Sequence, residues 1–385
     1  QIAQEQEANG LMPAYAPLNG DDYMVILDSN LLWVRGLRNY LLFSGDEATV
    51  RDLLPSARKL LDLLLGYTDN NGLLNDPPYA YWIDHAQMDR RGSNFALNAH
   101  FLGTLEDFAE VLDWLSEPDA AFFQLKADQL RASLREQFWN PERRLFSDAL
   151  IDGRQSEMFS EHANGLALAM SIPSTEQAEA IAKQLLSEEP NDYIRNAAGI
   201  TMVTPAMSYF LHQGLCRSGY VRQSLALFKA RFGKMLQPNL NQTLWEEWWL
   251  DGTGRSGRFT GGRTRSDAQT ESAFPPALFG EFLLGVQPVK PGLREVLLSR
   301  PDSGVDEVEG ALPSPSGVLS VHWKLAGEKP GLDLGVPADM TVKLDLKSLG
   351  MGTEAILFID DQAVDLASIT TGFVSLGEGD HRIRF

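Results

Sequence analysis

The hydrophobic period of the chain changes once, near residue 286, and that change limits the folds open to it. From about residue 30 to 285 the apolar residues recur at helical spacing. In NLLWVRGLRNYLLF, Leu32, Gly36 and Tyr40 share one line, and Trp33, Leu37 and Leu41 share the next. A second helix is expected to start near Gly45, Asp46 and Glu47 and to end near Gly66. Helical patterns recur in NFALNAHFLGTLEDFAEVLDWL, DAAFFQLKADQLRASLREQFW, MFSEHANGLALAM, STEQAEAIAKQLLS, AGITMVTPAMSYFLHQGL, GYVRQSLALFKARF and AFPPALFGEFLLGV. About ten helices without alternating strands exclude a doubly wound sheet. No fixed-length solenoid repeat is visible, which favours a closed toroid of paired helices. Downstream, GVLSVHWKLAG, GLDLGVP, MTVKLDL, EAILFID and GDHRIRF alternate apolar and polar residues. They predict an antiparallel β-sandwich of roughly 95 residues, with GVQPVKPG (285–292) as the linker. The expected domains are therefore 1–285 and 286–385.

Charge narrows the partners. A net charge of −19 opposes a nucleic-acid or anionic-membrane surface, both of which want clustered Lys and Arg. Neutral ligands such as glycans fit better, although a solvated acidic surface accounts for the charge equally well. No run of about 18 apolar residues is present, so no segment is expected to span a membrane. Cys216 is the only cysteine, which excludes an intramolecular disulfide and a Cys-based metal site. In FLHQGLCRSGY it reads as an inert thiol in a helix-to-helix turn. The six histidines lack metal-ligand spacing, so neither metal nor cofactor is expected. The opening QIAQEQEANGLMPAYAP carries no initiator Met and no leader pattern, and reads as a helix tail running into a Gly-Pro turn. The native protein is expected to continue upstream. The compartment stays open, with a periplasmic or secreted setting preferred over a cytoplasmic one.

The stretch NQTLWEEWWLDG, residues 241–252, sets three tryptophans around two adjacent glutamates. Aromatic rings exclude water from a carboxylate and also stack on sugar faces, so a carbohydrate-processing acid or base would use both effects. A core helix with inward tryptophans and solvated glutamates would give the same spacing.

The order of motifs resembles the inverting α-L-rhamnosidases of bacteria and fungi over nearly the whole chain. GLMPAYAP with DSNLLWVRGLRNYLLFSGD looks like that family's segment at the start of the barrel. YWIDHAQMDRRG is similar to its aromatic-Ile-Asp segment ending in Arg-Gly. FWNPERRLFSD and SEHANGLALAM match its mid-barrel helices, and QTLWEEWW its Thr-x-Trp-Glu-x-Trp. LPSPSGVLSVHWK and LDLGVPADMTVKLDL look like its C-terminal sandwich. The resemblance implies an (α/α)6 barrel, a multidomain chain of α and β parts, and hydrolysis of terminal L-rhamnose with inversion.

Inversion needs an acid and a base about 6.5–9.5 Å apart with water between them. The family frame makes Glu246 the general base, with Trp245 before it and Trp248 as a wall of the sugar pocket, and turns Glu247 away. The family's acid lies in an Arg-x-Glu-x-x-Gly-Trp segment that this chain lacks, so the chain is expected to be a C-terminal fragment or to have lost the acid. Asp84 in YWIDH is the best remaining acidic site residue. It follows Tyr81 and Trp82, and His85 stands where many members have Trp. Asp28, Trp33, Tyr15 and His162 fall in segments able to face the pocket, and burial or helix capping would account for each of them equally well. SDAQTESAFPP replaces a Ser-His-x-Trp-Ser pattern and offers Gln269 and Glu271 instead. The substrate implied is a rhamnosyl glycoside or a plant or bacterial polysaccharide. The altered pocket segments leave another deoxy or acidic sugar open. A non-catalytic glycan-binding or scaffold homologue is the alternative from another class.

Three further features carry less. GTGRSGRFTGGRTR (252–265) lacks the Gly-Lys-Ser/Thr ending of a phosphate cradle and reads as a loop over the barrel mouth, its four arginines able to meet acidic sugars. Met158, Met170, Met202 and Met207 read as core filler. SGVDEVEG reads as a solvated turn.

Overall fold

The computed structural model describes residues 1–18, 24–187, 195–236, 242–248, 268–327, 330–351, 356–366 and 369–385. The chain divides into two compact units, Gln1–Arg38 with Ala48–Phe274, and Asn39–Glu47 with Pro275–Phe385. The sequence placed the boundary near 286.

The described helices are α1 (Leu27–Ser44), α2 (Glu47–Leu65), α3 (Phe95–Trp114), α4 (Ala120–Gln137) and α5 (Glu161–Ala169). They continue with α6 (Thr175–Leu185), α7 (Ser208–Arg217), α8 (Val221–Phe232) and α9 (Pro275–Phe282). Their burial sorts them into inner and outer members. All nine residues of α5 are buried, as is the stretch Phe95–Leu105 of α3. By contrast α4 buries only Phe123, Ala127, Leu130 and Leu134, one stripe at helical spacing. Inner α3, α5 and α7 pack in succession, and each carries an outer partner, α4, α6 and α8 respectively. Local signals start these helices where the sequence supplies them. Asn94 accepts from Leu97 N–H at 2.8 Å to cap α3, Ser160 caps α5, and Ser174 with Gln177 forms a capping box on α6.

Inner helices meet most closely at two glycines. A Cβ on Gly165 of α5 would lie 2.8 Å from Leu211 Cα, and one on Gly214 of α7 would lie 2.4 Å from the Gly165 carbonyl oxygen. Only hydrogen fits there, and backbone rests on backbone.

The helical region also holds short strands that the period did not reveal. These are β1 (Ser93–Asn94), β2 (Trp139–Asn140), β3 (Leu145–Phe146), β4 (Ala149–Ile151) and β5 (Arg154–Gln155). FWNPERRLFSD, matched above to a helix, is instead the β2–β3 hairpin, pairing Trp139 with Phe146. AGITMVTPAMSYFLHQGL becomes helical only from Ser208, because residues before it bond sideways to other segments. Cys216 is buried in the last turn of α7 rather than in an inter-helix turn.

The second unit is a β-sandwich. Its strands are β6 (Val286–Pro288), β7 (Glu295–Leu298), β8 (Glu307–Ser314), β9 (Gly317–Lys324) and β10 (Gly331–Val336). Then follow β11 (Thr341–Asp345), β12 (Leu357–Ile359), β13 (Gln362–Val364), β14 (Phe373–Leu376) and β15 (Gly379–Arg384). One sheet runs β13-β12-β15-β10-β9-β8 and the other β14-β11-β7-β6. All described pairs are antiparallel except β7 with β11. Register explains the period-two pattern: Leu332 lies opposite Trp323 on one side and Ile383 on the other, and all three are buried in one core. Two expectations are corrected. Residues 286–288 of the supposed linker pair with β7, and the acidic turn SGVDEVEG runs into β8 from Glu307.

Candidate active site

The site is built on a strained turn. Asp28, in the first turn of α1, accepts the N–H of Trp82 on Oδ1 and that of Ile83 on Oδ2, both at 2.8 Å. Asp84 N–H closes onto the Trp82 carbonyl at 2.7 Å, a three-residue turn centred on Ile83 at φ 61°. A β-branched residue in the left-handed region is strained and persists only where its surroundings over-determine it. Here the Arg90 guanidinium adds a further clamp, donating to the carbonyls of Trp82, Asp84 and Ala86. The turn brings Trp82 against His85, with the rings edge-on at 4.7 Å and Nε1 3.4 Å from Nδ1.

Asp84 points inward and is wholly enclosed. Its Oδ1 accepts from Thr204 Oγ1 at 2.7 Å and Ala86 N–H at 3.1 Å, and its Oδ2 meets His162 Nδ1 at 3.2 Å and Thr204 N–H at 3.3 Å. Burial pushes the carboxyl upward, but His162, Thr204 and Ala86 outweigh it and hold Asp84 below the ordinary carboxylate range. Next to it His85 points the other way: its Nε2 lies 2.8 Å from Glu246 Oε1.

Glu246 is the least buried of a short run of enclosed side chains. Its side chain retains 14% exposure, whereas Trp245, Glu247 and Trp248 are buried. Trp245 and Trp248 sink into a cluster with Met202, Phe232 and Met235. Trp248 donates its indole N–H to Val203 C=O at 2.7 Å, and Ser272 Oγ donates to Trp245 C=O at 2.8 Å. The contacts therefore close a ring. Trp248 holds Val203, the adjacent Thr204 holds Asp84, and the adjacent His85 holds Glu246.

The bacterial α-L-rhamnosidase 6 hairpin glycosidase domain model matches residues 1–264. The chain belongs to that family. The model of the bacterial α-L-rhamnosidase C-terminal domain matches residues 285–355. The first unit is thus an (α/α)6 six-hairpin glycosidase domain, followed by the family's β-sandwich. Similar solved structures include a GH78 family rhamnosidase of Bacillus sp. GL1, at TM-score 0.70 and 23% identity over 85% of this chain and 33% of that one. The α-L-rhamnosidase from Dictyoglumus thermophilum gives 0.75 and 14% over 100% and 42%. That of Streptomyces avermitilis, solved with L-rhamnose, gives 0.69 and 17% over 100% and 35%. This chain spans about a third to two-fifths of the length of these rhamnosidases. No curated protein sequence matches it.

Within this rhamnosidase-family chain the residues singled out from sequence separate into three groups. Trp82, His85 and Glu246 come together, with Gln269 nearby through its backbone N–H to Leu244 C=O at 2.8 Å. Asp28, Asp84, His162, Trp245 and Trp248 lie behind them. Asp28 accepts a backbone N–H on each of its oxygens, Asp84 and His162 are buried, and the two indoles face the core. They hold the site from within. Trp33 is half-buried on α1, and no hydrogen bond or ring contact among the described residues joins it to Glu246. Glu247, expected to turn away, is buried. Trp249 and the loop 252–265 lie outside the described residues.

Sequence reasoning missed Glu161 and Arg231. They form a two-pronged ion pair, 2.8 and 2.9 Å, with both side chains fully buried. Glu161 also accepts from Val203 N–H at 3.1 Å and Asn196 Nδ2 at 3.3 Å. The signal available was a Glu opening an otherwise apolar helix, SEHANGLALA. Asp148 was missed too. It is buried, its Oδ1 accepts from Ser160 Oγ at 2.7 Å, and its Oδ2 has no partner among the described residues. Burial pushes its carboxyl up to about 6. No group of His, Cys, Asp and Glu able to hold a metal occurs among the described residues, and none of their helices is long and apolar enough to cross a membrane.

Proposed function

We propose that this chain carries the water-activating side of a glycosidase that removes terminal α-L-rhamnose with inversion, and that Glu246 is the general base. One observation carries the assignment: a part-exposed carboxylate, oriented by His85 at 2.8 Å, stands on a segment whose tryptophans are anchored in the core. A base must face water while its backbone stays fixed, and this arrangement meets both needs. Family membership and the L-rhamnose held by the Streptomyces avermitilis relative support the sugar class. Asp84 is not the proton donor to the leaving group, since it is sealed and held ionised.

That enclosure of Asp84 supports a second possibility, a homologue that binds rhamnosyl glycans without cleaving them. Turnover of 4-nitrophenyl α-L-rhamnoside, whose phenolate departs without a proton donor, separates the two, with the first-formed anomer read by proton NMR. The proposal expects β-L-rhamnose from the wild type and none from Glu246→Gln, which still binds the sugar. Equal turnover in the variant, or release of the α-anomer, would sink it.

A further inference from the structure

Trp82 and His85 carry a consequence that rests on Glu246 being the base. An indole has one polar hydrogen and no acceptor. With Trp82 Nε1 at 3.4 Å, His85 Nδ1 must therefore be the accepting nitrogen. In a neutral imidazole the proton then sits on Nε2, the atom 2.8 Å from Glu246 Oε1. The other neutral tautomer would set an imidazole lone pair against a carboxylate lone pair. We propose that His85 is a positioning residue, a neutral imidazole locked by Trp82 as the Nε2–H tautomer, which donates to Glu246 Oε1 and fixes the plane of the base. The strained turn at Ile83 then has a use: it sets an indole and an imidazole three residues apart edge to edge at 4.7 Å.

The lock is read directly in the chain labelled with 15N-histidine, by long-range proton–nitrogen correlation at neutral pH. Loss of a ring signal in His85→Gln assigns it. The expected result is a protonated Nε2 and bare Nδ1 in the wild type, giving way to a mixture of tautomers in Trp82→Phe. A wild-type Nδ1–H tautomer or doubly protonated ring overturns the proposal, as does a spectrum indifferent to Trp82→Phe. Kinetics on an aryl α-L-rhamnoside supply the second arm. His85→Phe should lower kcat on the order of 100-fold with KM nearly unchanged, while His85→Gln, whose amide still donates, should recover most of that loss. Equal kcat in the two variants overturns the proposal. A wild type without turnover points to the acid segment that this chain lacks rather than to Glu246, and the nitrogen spectrum alone then decides whether the lock exists.

Discussion

Trp248 and Val203 are joined by an indole-to-carbonyl hydrogen bond of 2.7 Å, which ties the segment bearing Glu246 to the segment bearing Thr204. Replacing Trp248 by Phe keeps much of the buried apolar surface but leaves the Val203 carbonyl without its indole donor. A buried acceptor left unmet costs about 1–3 kcal/mol. The denaturant midpoint should fall accordingly with an unchanged slope, and kcat should fall with it.

Glu161→Gln should cost more, about 3–5 kcal/mol, because it leaves the Arg231 guanidinium charged and enclosed. The double variant Glu161→Gln with Arg231→Met should regain part of that loss, since the enclosed guanidinium is removed together with the carboxylate that faces it. A double-mutant cycle by chemical unfolding checks this; additive losses would contradict it.

Asp28→Asn tests the strained turn. The carboxylate gives each backbone N–H its own oxygen at 2.8 Å, and the amide replaces one of those oxygens with an NH2 donor, so one N–H is released. The Ile83 amide should exchange with solvent faster, and stability should drop by about 1–3 kcal/mol.

The pH dependence centres on Asp148. Its folded carboxyl titrates near 6 against 3.8 for the ordinary group, so the folded chain binds more protons between those values. The contribution of Asp148 to stability is therefore fully present below about pH 4 and is lost as pH rises through 6. Asp148→Asn should be more stable than the wild type at pH 7, on the order of 2–3 kcal/mol, with no gain at pH 4. His212, driven down to about 3 by burial and then by Arg231, loses stability as pH falls below 6.5. It does so in both proteins and cancels from the comparison by urea unfolding at the two pH values.

Much of the fold was legible because long periodic segments declare themselves. The alternation of β10 survives in its burial, as does the apolar stripe of α4. Two-residue strands such as β2 and β3 have no period to read, so the hairpin between them passed for helix. Glu246 stood out by its aromatic neighbours and family frame, but the packing of those neighbours was not legible. A tryptophan that walls a pocket and one that anchors a core have the same local sequence, and only tertiary packing, here on Phe232 at 5.3 Å, separates them. The Glu161–Arg231 and His85–Glu246 contacts span 70 and 161 residues, distances at which spacing carries no signal.

The meeting of Gly165 and Gly214 has a consequence for variation. A contact between two backbones cannot be traded among side-chain sizes, so substitutions along α5 or α7 alter stability without sliding one helix past the other. Glu161 and His162, one turn before Gly165, inherit that fixed origin. For anyone redesigning the chain, those two positions are the datum from which every other tolerance is measured.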